Sequence, residues 1–198
     1  FFDIDGRDQT IAGLGGSGTI TSERVGNNVT TLTINGGGGL TFSGDFTHDD
    51  SDPISVTKTG TGVQTFSVVN GAGAENEDVY TGATTITGGT LSITTANSLG
   101  TTAAATTVSG TGTLDLSGLA LNNAETINIS GSGIANVGAL TGTGTSSIGA
   151  SNSLIMTGAA SVGGGGTLTI SDDISGSTAL TKVGIGTVVL NADNSTSF

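Results

Sequence analysis

The chain has 198 residues, of which 36 are Gly, 36 are Thr and 22 are Ser, so these three types account for 94 residues. This composition excludes a helical protein, because Gly destabilises helices and Thr favours strands. The 16 acidic and 4 basic residues give a net charge of −12, which excludes a nucleic-acid surface built from clustered Lys and Arg. No apolar run is long enough to cross a bilayer as a helix, so we expect no direct membrane insertion.

Short segments of alternating aliphatic and polar residues recur along the chain. In each segment one face is aliphatic and the other carries Thr, Ser, Asn or Asp, which is the pattern of a half-buried strand. Gly-rich clusters between the segments supply turns that need positive φ. In chain order the segments are 29–34, 84–87, 90–93, 113–116, 126–129 and 167–170.

This spacing of strands suits a sandwich, a barrel or a β-solenoid. Aromatic residues make up only 4% of the chain and Trp is absent, so small aliphatic residues must fill the core, which favours a narrow solenoid. Three strands per coil predict coils of about 20–25 residues, roughly eight or nine coils and a rod of about 40 Å. We expect ten side chains to point inward: Ile34, Ile86, Leu91, Ile93, Leu114, Leu116, Ile127, Ile129, Leu168 and Ile170.

An internal repeat relates two parts of the chain. Residues 57–66 align with residues 181–190, and both copies read Thr-Lys-x-Gly-x-Gly before an alternating strand. Lys58 and Lys182 hold equivalent positions, which indicates a structural role such as bonding turn carbonyls. The turn of the first copy is lengthened by an insertion at 70–79.

Further motifs accompany the first copy: Lys58-Thr-Gly-Thr-Gly62, Tyr80-Thr-Gly-Ala-Thr-Thr-Ile86, Gly88-Gly-Thr-Leu91 and Asn97-Ser-Leu-Gly100. Together they resemble the autotransporter passenger-associated repeat, most specifically over 57–100. The chain departs from that pattern at the 70–79 insertion and at Phe66, where Leu is usual. The resemblance implies an all-β, right-handed parallel β-helix exported to the bacterial cell surface or beyond. Residues 1–198 are then expected to be a single β-helix segment of a larger protein, with repeat cores near 57–100 and 181–198.

An acidic segment at 44–53 surrounds the sole His48. Carboxylates at this density could ligate Ca²⁺, which takes six to eight oxygens. The segment lacks a calcium-loop frame, so we interpret it as a solvated loop, with Ca²⁺ as the minor alternative and no other cofactor. The cluster at 75–78 has the same interpretation. The candidate calcium ligands are Asp45, Asp49, Asp50 and Asp52.

Many β-helices cleave polysaccharides, and such a hydrolase needs two or three carboxylates facing one cleft. Asp115 and the pair Asp172 and Asp173 are available but far apart in sequence. A lyase for acidic sugars needs clustered Arg and Lys, and a charge of −12 would repel its substrate. We therefore predict that the chain is not an enzyme and has no catalytic residues.

The sequence favours a structural stalk, a β-helical passenger segment that spaces or displays other domains of an exported surface protein. Its expected partners are the neighbouring coils of the parent chain, with end-to-end self-association at the uncapped ends. The alternative is an adhesin-type binding module that contacts glycan, a host surface or ice through loops or a Thr-rich face. A carbohydrate-active enzyme is the third hypothesis. A flat plane of Thr side chains would favour ice binding. Carboxylates that converge on one pocket would favour an enzyme, and faces without such features would favour the stalk.

Overall fold

The computed structural model describes residues 1–22, 28–48, 53–69, 79–176 and 178–192. Their parallel strands stack into a β-solenoid of about 7 turns, which confirms the predicted parallel β-helix with slightly fewer turns than expected. The turns differ in length. Val56 pairs with Thr84, 28 residues later, whereas Thr167 pairs with Thr187, 20 residues later. The seven turns from Thr10 to Ser175 average about 24 residues, which is within the expected length of a coil.

The described residues form short strands joined by tight corners, with two 3-10 turns at Ala96–Leu99 and Ile134–Asn136. No helix among them has the length and apolarity needed to cross a bilayer. The strands are β1 (Phe2–Asp3), β2 (Gln9–Ile11), β3 (Ile20–Ser22), β4 (Thr30–Asn35), β5 (Leu40–Phe42), β6 (Phe46–His48), β7 (Ile54–Thr59), β8 (Val63–Phe66), β9 (Thr84–Ile93), β10 (Thr106–Asp115), β11 (Ala120–Leu121), β12 (Thr126–Gly131), β13 (Leu140–Thr141), β14 (Thr145–Ile148), β15 (Ser153–Gly163), β16 (Thr167–Ile170), β17 (Ile174–Ser175), β18 (Leu180–Lys182) and β19 (Thr187–Leu190).

Three parallel sheets run along the rod. In the largest, β2, β4, β7, β9, β10, β12 and β15 succeed one another. A second sheet joins β1, β3 and β6, and a third joins β11, β14, β16 and β19. Backbone hydrogen bonds therefore run between coils, and each coil satisfies the polar groups of its neighbours.

The interior is a stack of aliphatic side chains, as the alternation predicts. All ten side chains that were expected to point inward have 0% exposure, so the predicted core is confirmed. Burying each Leu or Ile contributes about 1.5–3 kcal/mol. Polar side chains interrupt the aliphatic columns, among them the buried Thr84 and Thr106, which follow Val56 in one column. Lys58 lies between Ile34 and Ile86, and Gln64 pairs with Leu91 in the next coil.

A cluster of aromatic rings corrects the expectation of a purely aliphatic core. Phe42, Phe46, Phe66 and Tyr80 are all buried, with ring centroids 4.9–6.1 Å apart in tilted or edge-to-face pairs. Such pairs add about 0.5–1.5 kcal/mol each beyond burial. Phe66, where the resembled repeat has Leu, is therefore a packing partner in this cluster.

Glycine at the corners lets the coils approach closely. Gly131 has a φ of +90°, and a Cβ at this position would lie 2.3 Å from the carbonyl oxygen of Gly110 in the preceding coil. Both the backbone conformation and the space therefore require glycine here.

Candidate functional site

Asp115 is an acidic residue that the fold places in a cavity. It ends β10, where Leu114 and Leu116 on either side point into the core, so its own side chain points away from the core. Parallel register sets it beside Ser92 of β9 and Thr141 of β13. The stacking thus forms an outward column of two hydroxyls with a carboxylate between them.

Three hydroxyl groups donate hydrogen bonds to the Asp115 carboxylate. Thr143 Oγ1 and Thr141 Oγ1 lie 2.9 and 3.1 Å from Oδ1, and Ser92 Oγ lies 3.3 Å from Oδ2. The side chain is only 9% exposed. Hydrogen bonds to a charged group are stronger than neutral ones, so this network holds the carboxylate in one orientation.

The carboxylate lines a groove of ≈ 500 Å³, which we call the Asp115 groove. Its apolar walls come from Val63, Val137 and Ile185, which belong to three different coils. Val137 follows a 3-10 turn that Thr113 anchors, since Thr113 Oγ1 donates to Gly138 O at 2.9 Å and accepts from Ile134 N at 3.0 Å. The groove therefore combines one charged group, several hydroxyls and aliphatic walls.

The predicted calcium ligands lie only partly within the described residues. Asp45 is half-buried just before β6, and its backbone carbonyl accepts a hydrogen bond from Ile20. Asp49, Asp50 and Asp52 lie outside the described residues, as does the segment 75–78. The described residues contain no group of three His, Cys, Asp or Glu side chains placed to hold a metal.

His48 and Asp172 have structural partners. Nε2 of His48 is hydrogen-bonded to Thr81 Oγ1 at 3.2 Å. Asp172 Oδ2 accepts a 2.5 Å hydrogen bond from the backbone of Leu154, and burial raises the pKa of this carboxyl. Asp172 and Asp173 do not line the Asp115 groove, so the three acids do not converge on that cleft.

The two repeat lysines bond turn carbonyls, as their equivalent positions predict. Lys58 is fully buried, and its Nζ donates to the carbonyl oxygens of Thr59 and, at 3.3 Å, Gly88. Burial lowers the pKa of Lys58. Lys182 donates to Gly184 O at 2.6 Å but is exposed. Lys58 therefore links its own turn to the next coil.

Glu125 is a buried acid that the sequence did not single out. It has 0% exposure, and Oε1 accepts a 2.8 Å hydrogen bond from Thr106 Oγ1, whereas Oε2 has no partner. Burial raises the pKa of Glu125 to about 7, against the opposing effect of the Thr106 hydrogen bonds. It lies one residue before the alternating segment 126–129 and has the same parity as the inward-pointing Ile127 and Ile129, so extending the alternation by one residue would have indicated its burial.

A face rich in threonine runs along the largest sheet. Its central column places threonines from five successive strands in register, followed by Asn, Ile and Ser. From β4 to β15 this face has no charged side chain, and the outward positions on either side of the column carry Thr, Ser or Asn, except for Ala83 and Ala105. We call this surface the threonine face. Its central column consists of Thr10, Thr33, Thr57, Thr85, Thr107, Asn128, Ile155 and Ser175.

The chain was compared with family models, curated proteins and solved structures, and none of them matches. The fold by itself defines the class, a parallel β-solenoid.

Proposed function

We propose that this chain is a non-enzymatic structural segment of a large exported bacterial surface protein, where it spaces other domains from the cell. The observation that carries the proposal is the continuous core. One cluster of buried hydrophobic side chains extends from Ile4 in the first coil to Ile174 near the last. A continuous core makes neighbouring coils support one another, and the chain then behaves as one rod. The sequence resemblance to passenger repeats supports a location at the cell surface.

Rigidity is the property that a spacer needs, and it can be measured across the rod. Thr10 and Ser175 lie in one column, seven pairing steps apart through six intermediate strands. At about 4.8 Å per step their Cα atoms should be about 34 Å apart. Because the chain has no Cys, Thr10→Cys with Ser175→Cys provides two unique spin-label sites for pulsed electron-electron resonance.

A single narrow distance near this value supports the spacer, and a broad distribution overturns it. Ile129→Asp should broaden the distribution, because it places an unpaired charge in the core. The matched control is Asn128→Asp, which adds the same charge one residue earlier on the half-exposed threonine face. It should leave the distance unchanged.

The threonine face favours ice as the ligand of the alternative binding module. Its hydroxyl and methyl groups repeat at about 4.8 Å between coils and about 6.6 Å along each strand. Between β4 and β15 the array has no charged side chain, and such a surface is suited to ordered water rather than to a charged partner. In this second proposal the rod presents the face to ice crystals.

Thermal hysteresis and inhibition of ice recrystallisation test the second proposal. Thr57→Lys and Thr85→Lys should abolish both activities, because each places a long cation in the middle of the array. Thr169→Lys on β16, in a different sheet, is the control and should have no effect. An unaltered chain without hysteresis would overturn this proposal and leave the spacer proposal intact.

A further inference from the structure

At its charged end the Asp115 groove presents the Asp115 carboxylate and the oxygen atoms of the three hydroxyls that donate to it. An ionised carboxylate can only accept hydrogen bonds, so Ser92, Thr141 and Thr143 must direct their protons toward Asp115. Each hydroxyl has one proton and two lone pairs. Once that proton is used, the oxygen atoms of these residues can only accept hydrogen bonds from a ligand.

Thr113 also lines the groove, and its hydroxyl proton is already used within the protein. Thr113 Oγ1 donates its proton to Gly138 O and accepts from Ile134 N. Asp115 itself has accepted three hydrogen bonds of the roughly four that a carboxylate can accept. A phosphate, a sulfate or a second carboxylate brings only acceptors and negative charge, so the groove disfavours all three.

The negative charge of Asp115 and of the whole chain favours a cationic ligand. Among the described residues one ion pair is formed, between Arg7 and Asp5, and Asp115 has only hydroxyl partners. A net charge of −12 raises the local concentration of cations. A ligand that supplies both positive charge and several N–H donors would therefore complement the site.

The walls decide which kind of cation fits. Val63, Val137 and Ile185 offer aliphatic surface and no aromatic ring, so a quaternary ammonium would find no π face to bind. A Ca²⁺ ion needs six to eight oxygens, and the groove has a single carboxylate. A primary ammonium on an alkyl chain fits both parts of the groove. Its three N–H groups can donate to the oxygen acceptors, and its methylene groups can pack against the aliphatic walls.

We propose that the Asp115 groove binds a primary alkylammonium group, either of a free alkylamine or of a lysine side chain. The ammonium donates to Asp115, with Ser92 and Thr143 as additional acceptors. The alkyl chain lies against Val137 and Ile185. No bond is made or broken, so this is a binding site, and it is independent of the spacer function.

Titration with n-hexylamine tests the site, with hexanol, hexanoate and tetramethylammonium as comparison ligands and NMR shifts or calorimetry as the readout. Hexylamine should bind saturably near pH 7, and the other three should bind at least about tenfold more weakly. Asp115→Asn should weaken hexylamine binding by at least about tenfold, because it removes the ion pair. Asp173→Asn makes the same charge change at an exposed position and should leave the affinity unchanged.

Val137→Lys provides a variant that leaves the carboxylate network intact. Val137 is 40% exposed, so the wall tolerates a longer side chain, and the new ammonium should occupy the site and block hexylamine. A lysine-containing peptide that binds more tightly than hexylamine identifies a protein lysine as the source, and equal affinities identify a free amine. Absence of saturable hexylamine binding at millimolar concentration overturns the proposal. The proposal is also overturned if folded Asp115→Asn binds hexylamine as tightly as the wild type does, or if the wild type binds hexanoate as tightly as hexylamine.

Discussion

Replacing Glu125 by Gln should make the protein more stable at high pH and leave it unchanged at low pH. The carboxyl group is fully buried, with Oε1 bonded to Thr106 and Oε2 without a partner. Gln keeps the shape and an acceptor for the Thr106 hydroxyl. Its amide nitrogen would be unpartnered where the hydroxyl of a protonated Glu125 is also unpartnered, so the two neutral forms are close to equivalent.

The direction in which stability changes with pH follows from the pKa of Glu125, which burial raises from 4.5 to about 7. Between these values the folded protein binds more protons than the unfolded chain, so its stability falls as pH rises. The stability from this group is fully present below about pH 4.5 and is lost as pH rises through about 7. One pKa unit corresponds to about 1.4 kcal/mol, which sets an upper limit of about 3 kcal/mol. Water entry and local relaxation reduce this, and we expect about 1–2 kcal/mol.

Urea unfolding of the wild type and Glu125→Gln from pH 4.5 to pH 8.5 measures this effect directly. All other titrating groups are common to the two proteins, so the difference in their unfolding free energies isolates Glu125. That difference should rise from near zero to its full value by about pH 8. Asp173→Asn is the control for a carboxyl-to-amide change at an exposed site. Parallel stability curves for wild type and Glu125→Gln would refute the argument.

Three further outcomes are expected. Gly131→Ala should lower the unfolding free energy by about 2–4 kcal/mol in urea melts, because it forces a positive φ on a side chain that also meets the Gly110 carbonyl; an unchanged midpoint would contradict the corner geometry. Ca²⁺ should shift the melting temperature little, and a large rise that Asp49→Asn with Asp50→Asn abolishes would establish a calcium site. No pectin, polyuronate or ester should be turned over in sensitive product assays, and hydrolysis that disappears in His48→Ala would refute the non-enzymatic assignment.

The sequence could predict which side chains of each strand face the core. It could not predict which residues of the adjacent coils lie beside them. Alternation at 113–116 is sufficient to place Leu114 and Leu116 in the core and Asp115 outside. It cannot place Asp115 beside Thr141, because the coils differ in length, as offsets of 20 and 28 residues between paired strands demonstrate. The groove depends on that register. Its wall residue Ile185 belongs to a turn three coils further along, which no local pattern indicates.

The aromatic cluster was missed for a related reason. The four rings come from two neighbouring coils, Phe42 and Phe46 from one and Phe66 and Tyr80 from the next, and their number is small. Low aromatic content predicts an aliphatic core on average but says nothing about where the few rings gather. Only the stacking of coils brings them within contact.

The polar residues inside the core give the coils distinct identities. A solenoid of uniform aliphatic rungs could shift by one coil and still bury the same surface. Here such a slip would remove the Lys58 ammonium from the Gly88 carbonyl and the Gln64 amide from the backbone of Leu14, which it meets through both its oxygen and its nitrogen. Each misplaced group would be buried without partners, at a cost of about 1–3 kcal/mol or more. These residues therefore act against domain swapping and misassembly between similar coils, so that a repetitive chain has one correct order of stacking.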